Sequence, residues 1–233
     1  MITLTPEEWT AVKLSLRIAL VATAGALPFG IALAWVLARK NFWGKSLVDA
    51  LVHLPLVLPP VVTGYLLLIT LGRRAPVGAW LADHLGIVFS FRWTGAALAC
   101  GVMAFPLVVR PIRLSIEAID RRLEEASSTL GANGFWVFVS VTLPLALPGI
   151  IAGAMLGFAK ALGEFGATIT FVSNIPGETQ TISAAIYGYI QSPDGDLPAF
   201  RLMIISIVIA ALALVGSELL QRLATRSQRA ESP

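Results

Sequence analysis

The sequence predicts an all-α membrane protein with about five transmembrane helices. The chain is 56% hydrophobic and only 13% charged, whereas soluble globular domains average about half apolar and about a quarter charged residues. Its apolar residues also occur in runs long enough to cross a bilayer, which takes about 20 residues in a helix. Because lipid offers no partner for unpaired backbone groups, such runs are expected to span as helices.

Five runs of this length are separated by charged loops. The first is not a cleavable signal peptide, because Glu7 and Glu8 stand where a basic leader belongs and the apolar run is too long. We therefore expect it to remain in the protein and residues 1–233 to form a single transmembrane domain. The five runs cover approximately residues 14–37, 47–71, 95–109 with extensions, 147–172 and 202–220.

The lysines and arginines of the loops predict the orientation, because the side that retains more of them is usually cytoplasmic. With an outer N-terminus and a cytoplasmic C-terminus, ten of these residues fall inside and six outside, and Lys160 stays within a span. Lys13 and Arg17 are expected to extend to the outer interface, with a separate interfacial helix as the alternative. The ten inner residues are Arg39, Lys40, Lys45, Arg110, Arg113, Arg121, Arg122, Arg222, Arg226 and Arg229.

Residues that would support catalysis or metal binding are scarce in the sequence. His53 and His84 are the only histidines and Cys100 is the only thiol, so the chain has no metal-ligand spacing and no disulfide framework. Gly44-Lys45-Ser46 matches the end of a nucleotide-binding phosphate loop, but Arg39 occupies the place of the first glycine. We predict no catalytic residue, cofactor, metal or nucleic-acid partner for this chain, and an intramembrane enzyme is the weaker alternative.

The loop at about residues 114–145 has a pattern of its own. Apolar residues recur there at alternating steps of three and four, which predicts one face of a helix. Gly131 is placed to end that helix in a left-handed conformation. A short amphipathic helix of this kind suits binding by another protein, and a connector packed on its own subunit is the alternative. The apolar residues are Ile116, Ile119, Leu123, Ala126 and Leu130.

Three parts of this loop resemble the Glu-Ala-Ala loop of the membrane subunits of bacterial ABC importers. They are Glu125-Ala126-Ser127, Gly131, and Val141-Thr142-Leu143-Pro144. The family spacing is intact, and Ser127 replaces the second alanine. The resemblance implies a type I ABC importer permease fold in which the loop forms a coupling helix that docks in a groove of a separate ATPase subunit. The residues to which it assigns coupling are Glu124, Glu125, Ala126, Ser127, Gly131 and Pro144.

Two further stretches resemble the membrane subunits of molybdate importers: HLPLVLPPVVTGYLLL from His53, and ALGEFGATITFVSNIPGETQTI ending at Ile182. The resemblance implies a homodimer embedded in the lipid of the bacterial inner membrane. It implies two partners, a cytoplasmic ABC ATPase that holds ATP and Mg, and a periplasmic oxyanion-binding protein. Molybdate is the favoured cargo, tungstate and sulfate or thiosulfate remain alternatives, and an ion channel without an ATPase is the less favoured rival.

Breaks and charges within the spans predict the residues of the pathway. Pro55, Pro59 and Pro60 each remove an amide donor from the second run, so its helix should kink or break; a simple packing kink is the alternative. Lys160 and Glu164 lie one helical turn apart and can neutralise each other, and charges at such depth usually face a cavity or a partner. A structural ion pair is the alternative to a substrate contact. The next candidates, for an outer gate, are Phe165, Gly166 and Thr168.

A strip of small residues in the fourth run predicts close helix packing. Gly149, Gly153 and Gly157 follow one another every four residues, which places them on one side of a helix. Small residues at this spacing allow a second helix to approach closely in a membrane.

Overall fold

A computed structural model describes residues 4–230, except for the side chains of residue 214 and residues 217–230. Arg222, Arg226 and Arg229, which contribute to the predicted inner charge, therefore lie outside the described side chains. All regular structure in the described range is helical. The helices are α1 (Pro6–Arg39), α2 (Lys45–Val57), α3 (Pro60–Leu71), α4 (Pro76–Leu85), α5 (Trp93–Glu117), α6 (Arg121–Thr129), α7 (Gly134–Val137), a π-helical segment (Phe138–Thr142), α8 (Leu143–Leu145), α9 (Leu147–Leu162), α10 (Gly166–Val172), α11 (Ile182–Tyr189) and α12 (Asp196–Ala230).

Among the described residues, three helices are long and apolar enough to cross a membrane alone: α1, α5 and the 196–213 part of α12. Two further helix pairs are long and apolar enough only when taken together, and each pair is bent. Helices α2 and α3 meet at 112°, and the segment from α7 to α8 meets α9 at 69°. Counting each bent pair as one crossing gives five, the number that the sequence predicts. The short helices α4 and α11, which sequence reasoning did not identify, lie between these crossings.

Helix α1 starts earlier than the sequence predicted, because Thr5 and Glu8 form a reciprocal cap at its N-terminus. Its 34 residues measure about 51 Å at a rise of about 1.5 Å per residue, which exceeds a hydrocarbon core of about 30 Å. The helix is continuous, so the alternative of a separate interfacial helix is wrong. Arg17 lies on this helix with its guanidinium 3.8 Å from the centre of the Trp93 ring, which gives the charge an aromatic partner.

A buried ion pair joins the N-terminal ends of α1 and α12. Glu8 is buried, and its Oε1 accepts from Arg201 Nη2 at 2.7 Å and from Arg201 Nε at 3.1 Å. Its other oxygen accepts from the Thr5 backbone N–H at 2.7 Å. The carboxylate is thus fully engaged, as a charge removed from water requires.

The predicted break in the second run is confirmed, and it falls after Leu58. Pro55 lies inside α2, whereas Leu58 has an extended backbone, Pro59 precedes α3 and Pro60 is its first residue. The proline pair ends the first half-helix because a residue before proline avoids the helical conformation. Proline at the first position of α3 is tolerated, since its missing N–H would have no helical partner there.

The fourth run, predicted as one span over residues 147–172, is two helices. Helix α9 ends at Leu162, and α10 begins at Gly166. The Glu164 carboxylate accepts from the Ala167 backbone N–H at 3.0 Å, so a side chain satisfies a donor at the start of α10. The continuous-span prediction failed because it counted apolar residues and ignored this cap.

Helix α9 packs on α5 through the predicted glycine strip. A Cβ at Gly153 would lie 2.6 Å from the Val108 carbonyl oxygen, and one at Gly157 would lie 2.6 Å from a Val108 methyl group. The two helices run antiparallel, while α1 runs parallel to α5. The apolar core between α1 and α5 extends along both of these helices. It includes Ile18 and Cys100 at one end, where Phe171 of α10 joins them, and Leu37 and Ile116 at the other end.

The predicted single helix through residues 116–130 is also two helices. Helix α5 ends at Glu117, and Asp120 caps the separate helix α6 by accepting from the Arg122 backbone N–H at 3.0 Å. Ile116 is therefore part of the α1–α5 core, whereas Leu130 is 90% exposed. The apolar spacing continued across the break, which is why the pattern suggested one face.

Candidate functional site

Helix α6 forms most of the loop to which the sequence assigned coupling. None of its nine residues is buried. Glu125 and Ala126 are exposed and Ser127 is half-buried, and within the described part of the chain the Glu125 side chain has no hydrogen bond or ion pair. This face is therefore available to another protein.

Gly131 ends this segment in the left-handed conformation that the sequence predicted, with φ of +91°. Its backbone N–H donates to Ser128 at 3.0 Å, and the next N–H, of Ala132, donates to Ser127 at 3.3 Å. A Cβ at Gly131 would meet no atom within 4 Å. The position thus requires glycine for its backbone conformation and not for lack of space.

Glu124, assigned to the same group as Glu125, points to its own chain. Its carboxylate lies 3.0 Å from Arg39 Nε and accepts from the Thr142 hydroxyl at 2.7 Å. Arg39 belongs to the end of α1, and Thr142 belongs to the π-helical segment. Pro144, the last residue of the predicted group, is exposed in α8.

A cavity of about 480 Å³ separates α6 from α7 and the end of α1. Arg39, Glu124 and Thr142 form its polar wall, and Trp35 and Phe138 form part of its apolar wall. The two rings pack edge to face with centroids 5.9 Å apart. Across this cavity, α6 contacts α1 and the π-helical segment through the bonds of Glu124 to Arg39 and Thr142.

The predicted pair within the fourth run is present. Lys160 Nζ lies 2.7 Å from Glu164 Oε2, with the Lys160 side chain 29% exposed and that of Glu164 1% exposed. Because Glu164 also caps α10, its two oxygens connect α9 to α10 across the break. The arrangement is that of a buried, fully bonded carboxylate beside a partly accessible ammonium group.

The candidate gate residues adjoin this pair. A Cβ at Gly166 would lie 2.7 Å from Pro60 Cβ, so the α2–α3 break and the α9–α10 break touch each other. The Phe165 ring packs on Tyr187 with centroids 4.9 Å apart. Thr168 is buried, and its hydroxyl donates to the Phe165 carbonyl at 2.9 Å.

A second glycine contact supports this junction of broken helices. A Cβ at Gly64 of α3 would lie 2.9 Å from Ala167 Cα and 2.9 Å from Thr170 Cβ of α10. The two half-helices therefore pack backbone to backbone. The coupling group and the gate group lie at opposite ends of α9, whose 16 residues measure about 24 Å.

Sequence reasoning missed several residues of both groups. Arg39 was counted as one topogenic charge, and Gly64 and Tyr187 were not singled out. Arg39 and Glu124 are 85 residues apart, so no local spacing identifies the pair. A signal for Gly64 was available, because it is the only glycine in the apolar stretch that follows Pro60.

Comparisons with known proteins agree with this geometry. Residues 26–229 match the family described as "Binding-protein-dependent transport system inner membrane component". The chain is 58% identical to the molybdenum transport system permease protein ModB of Escherichia coli K12, over 94% of this chain and 96% of that protein. It is 36% identical to the sulfate transport system permease protein CysT of the same strain, over 91% of this chain and 76% of that one.

A solved structure supports the fold independently. The structure described as a bacterial alginate ABC transporter in complex with an alginate pentasaccharide-bound periplasmic protein contains a chain similar to this one. The TM-score is 0.74 at 19% identity, and the match covers 95% of this chain and 80% of that chain. Because the family model covers residues 26–229 and the ModB relative is 58% identical, the chain belongs to the family of binding-protein-dependent transport system inner membrane components, the multi-pass membrane subunits of ABC importers.

Proposed function

We propose that this chain is the membrane-spanning subunit of an ATP-driven importer that moves molybdate across the bacterial inner membrane. The assignment of molybdate as the cargo rests on the 58% identity to a molybdenum permease over nearly all of both chains. Tungstate has nearly the same charge and size as molybdate, and it belongs to the same cargo class.

A cytoplasmic ABC ATPase is the proposed partner of α6, and ATP and Mg bind to that partner. Glu125 and Ala126 are exposed on a helix without buried residues, which suits a docking element and not a packed connector. Glu125 is free to face a basic residue of the ATPase, where complementary charge would favour correct docking.

The proposed unit in the membrane is a homodimer with its path along the dimer axis. Five crossings in one chain are too few to enclose a path against lipid, and broken helices at membrane depth are tolerated where they face protein or water. The orientation follows the charge rule, with the C-terminus in the cytoplasm and a periplasmic oxyanion-binding protein delivering the cargo outside.

The junction of the α2–α3 break and the α9–α10 break is the proposed gate. Pro59 precedes α3 and Pro60 begins it, while Phe165, Gly166 and Thr168 lie at the start of α10. In this proposal ATP binding draws the two copies of α6 together and opens the junction outward, and hydrolysis resets it. Lys160 offsets the repulsion that an unpaired Glu164 would exert on a divalent oxyanion.

The test is uptake of labelled molybdate into vesicles that contain the chain and its ATPase, with loaded binding protein supplied on the outer side. We expect ATP-dependent uptake that tungstate suppresses at equimolar concentration and sulfate does not. Vesicles with the chain alone should show neither uptake nor ionic current. Current without ATPase would favour the channel alternative.

Sulfate transport is the second candidate, because the chain is also 36% identical to a sulfate permease. Equal suppression of molybdate uptake by sulfate and tungstate would support it. Exchanging the molybdate-binding protein for a sulfate-binding protein, with this chain unchanged, would then show whether the membrane subunit itself discriminates between the anions.

A further inference from the structure

We propose that Arg39 is a positioning residue that links the first membrane span to the coupling helix. In this inference Arg39 does not contact cargo or ATPase, and it acts by holding Glu124 of α6 to the end of α1. The inference rests on the proposed function of α6 as the ATPase-docking element.

Arg39 joins two points of the loop at once. Its Nε lies 3.0 Å from a Glu124 carboxylate oxygen, and its Nη2 donates to the Ile119 carbonyl at 3.1 Å. The carbonyl lies just before α6, and the carboxylate lies in its first turn. The planar guanidinium can make both bonds in a fixed geometry, which the single ammonium group of a lysine cannot reproduce.

Both side chains are sheltered from water. The Arg39 side chain is 9% exposed and that of Glu124 is 17% exposed, so the pair differs from the exposed ion pairs that contribute little. Glu124 accepts a second hydrogen bond from Thr142. Removing Arg39 alone would leave a carboxylate with one neutral donor in a half-buried place.

Helix α6 depends on this contact because it has little else to fix its position. None of its residues is buried, so apolar packing contributes little to its orientation. The chain on either side leads to α5 and to α7, and these segments meet α1 through apolar packing: Ile116 shares a core cluster with Leu37, and Phe138 packs on Trp35. Arg39 adds the direct polar contact between α6 itself and the first span.

Four variants of the complete complex separate this linkage from folding. Arg39→Ala breaks the pair, and Arg39→Met with Glu124→Gln removes it without leaving an unpaired charge. Arg39→Glu with Glu124→Arg restores a pair with reversed charges. Lys40→Ala is the matched control, since Lys40 is the neighbouring basic residue at the same helix end and is exposed.

The first readout is molybdate uptake per ATP hydrolysed, together with the amount of ATPase that copurifies. We expect Arg39→Ala and the neutral pair to retain the ATPase, because the Glu125 face is intact, and to lose about tenfold in uptake per ATP. The reversed pair should recover to within about threefold of the parent. Lys40→Ala should match the parent.

The second readout needs no cargo. A fluorophore on Trp43→Cys, in a Cys100→Ser background, reports movement beyond the end of α1, since Trp43 is fully exposed. We expect ATP to change its emission in the parent and in Lys40→Ala, and not in Arg39→Ala or the neutral pair.

The results distinguish this inference from the proposed function. Unchanged uptake per ATP, or an unchanged ATP-dependent emission signal, in both Arg39→Ala and the neutral pair would overturn the linkage. If the parent moves no molybdate, the cargo proposal fails, and the emission signal alone decides on Arg39. If the reversed pair recovers neither uptake per ATP nor the ATP-dependent emission signal, the effect of Arg39 is not its bond to Glu124, and the inference is wrong.

Discussion

The Lys160–Glu164 pair should respond unequally to loss of its two members. Lys160→Met leaves the Glu164 carboxylate buried, with only the Ala167 N–H as partner. Glu164→Gln removes the charge but keeps an oxygen for that N–H, and it leaves an ammonium group that is 29% exposed and can remain hydrated. The lysine variant should therefore be the more damaging.

The magnitude follows from the burial of each group. Removing one partner of a buried pair costs about 3–5 kcal/mol when the other charge stays buried, which applies to Lys160→Met. Loss of one hydrogen bond costs about 1–2 kcal/mol, which applies to Glu164→Gln. The double variant leaves no unpaired charge, and we expect it to be about 2 kcal/mol more stable than Lys160→Met alone.

The assay is a double-mutant cycle on the free energy of unfolding, measured by denaturant titration in detergent micelles and checked by thermal melting. At about 2–4 °C per kcal/mol for a chain of this size, Lys160→Met should lower the melting temperature by roughly 6–20 °C. Lys13→Met is the control, because Lys13 is exposed and lies only over the Trp9 ring.

Two outcomes would refute this reasoning about the pair. One is a Glu164→Gln variant that is less stable than Lys160→Met, which would contradict the calculated asymmetry. The other is additivity of the two changes within about 0.5 kcal/mol, the level expected for independent sites.

Two other predictions concern the coupling loop and the glycine strip. Gly131→Val and Glu125→Lys should each leave the chain in the membrane but abolish uptake and reduce copurified ATPase. Gly131→Val adds about 1–3 kcal/mol of backbone strain at φ of +91°, and Glu125→Lys reverses a docking charge. Gly131→Asn is the control, because asparagine tolerates this backbone conformation. Normal uptake in both Gly131→Val and Glu125→Lys would contradict the docking role. Gly153→Leu should destabilise the α5–α9 packing by about 2 kcal/mol or more, since its Cβ would lie 2.6 Å from the Val108 oxygen. Gly25→Ala, inside α1 and with no atom within 4 Å, should be at least as stable as the parent in the same melting assay, because alanine favours a helix over glycine.

The crossings and their number were predictable because lipid imposes a length and an apolar composition on each span. The strip at Gly149, Gly153 and Gly157 was predictable for a related reason, since the helical repeat places these residues together. Gly131 could be identified because a helix often ends in the left-handed conformation, which glycine adopts without steric strain. In each case the information lies within a few turns of one helix.

A helix break was predictable from the sequence only where the residue at the break cannot donate a backbone hydrogen bond. Pro59 and Pro60 break a crossing by lacking N–H groups. The break after Leu162 depends on a bond from Ala167 to Glu164, and residues of the same type occur inside uninterrupted helices. Apolar counting therefore gave one span where the chain forms two helices.

The tertiary partners of the candidate sites could not be predicted from spacing. Glu124 and Glu125 are adjacent and chemically equivalent, yet one bonds Arg39 and the other is exposed. Their difference arises from the rotation of α6 relative to α1, which no local pattern records. The same holds for the approach of Pro60 to Gly166.

The Glu8–Arg201 pair has a consequence for biosynthesis. The two residues are 193 positions apart, and at about 5–20 residues per second roughly 10–40 s pass between their translation. During that interval the Glu8 carboxylate has its N-terminal cap but no cation, and burying it unpaired is costly. We therefore expect the N-terminal end of α1 to stay hydrated at the membrane surface until α12 is made. Arrival of the last helix then supplies the cation that allows this end of α1 to be buried.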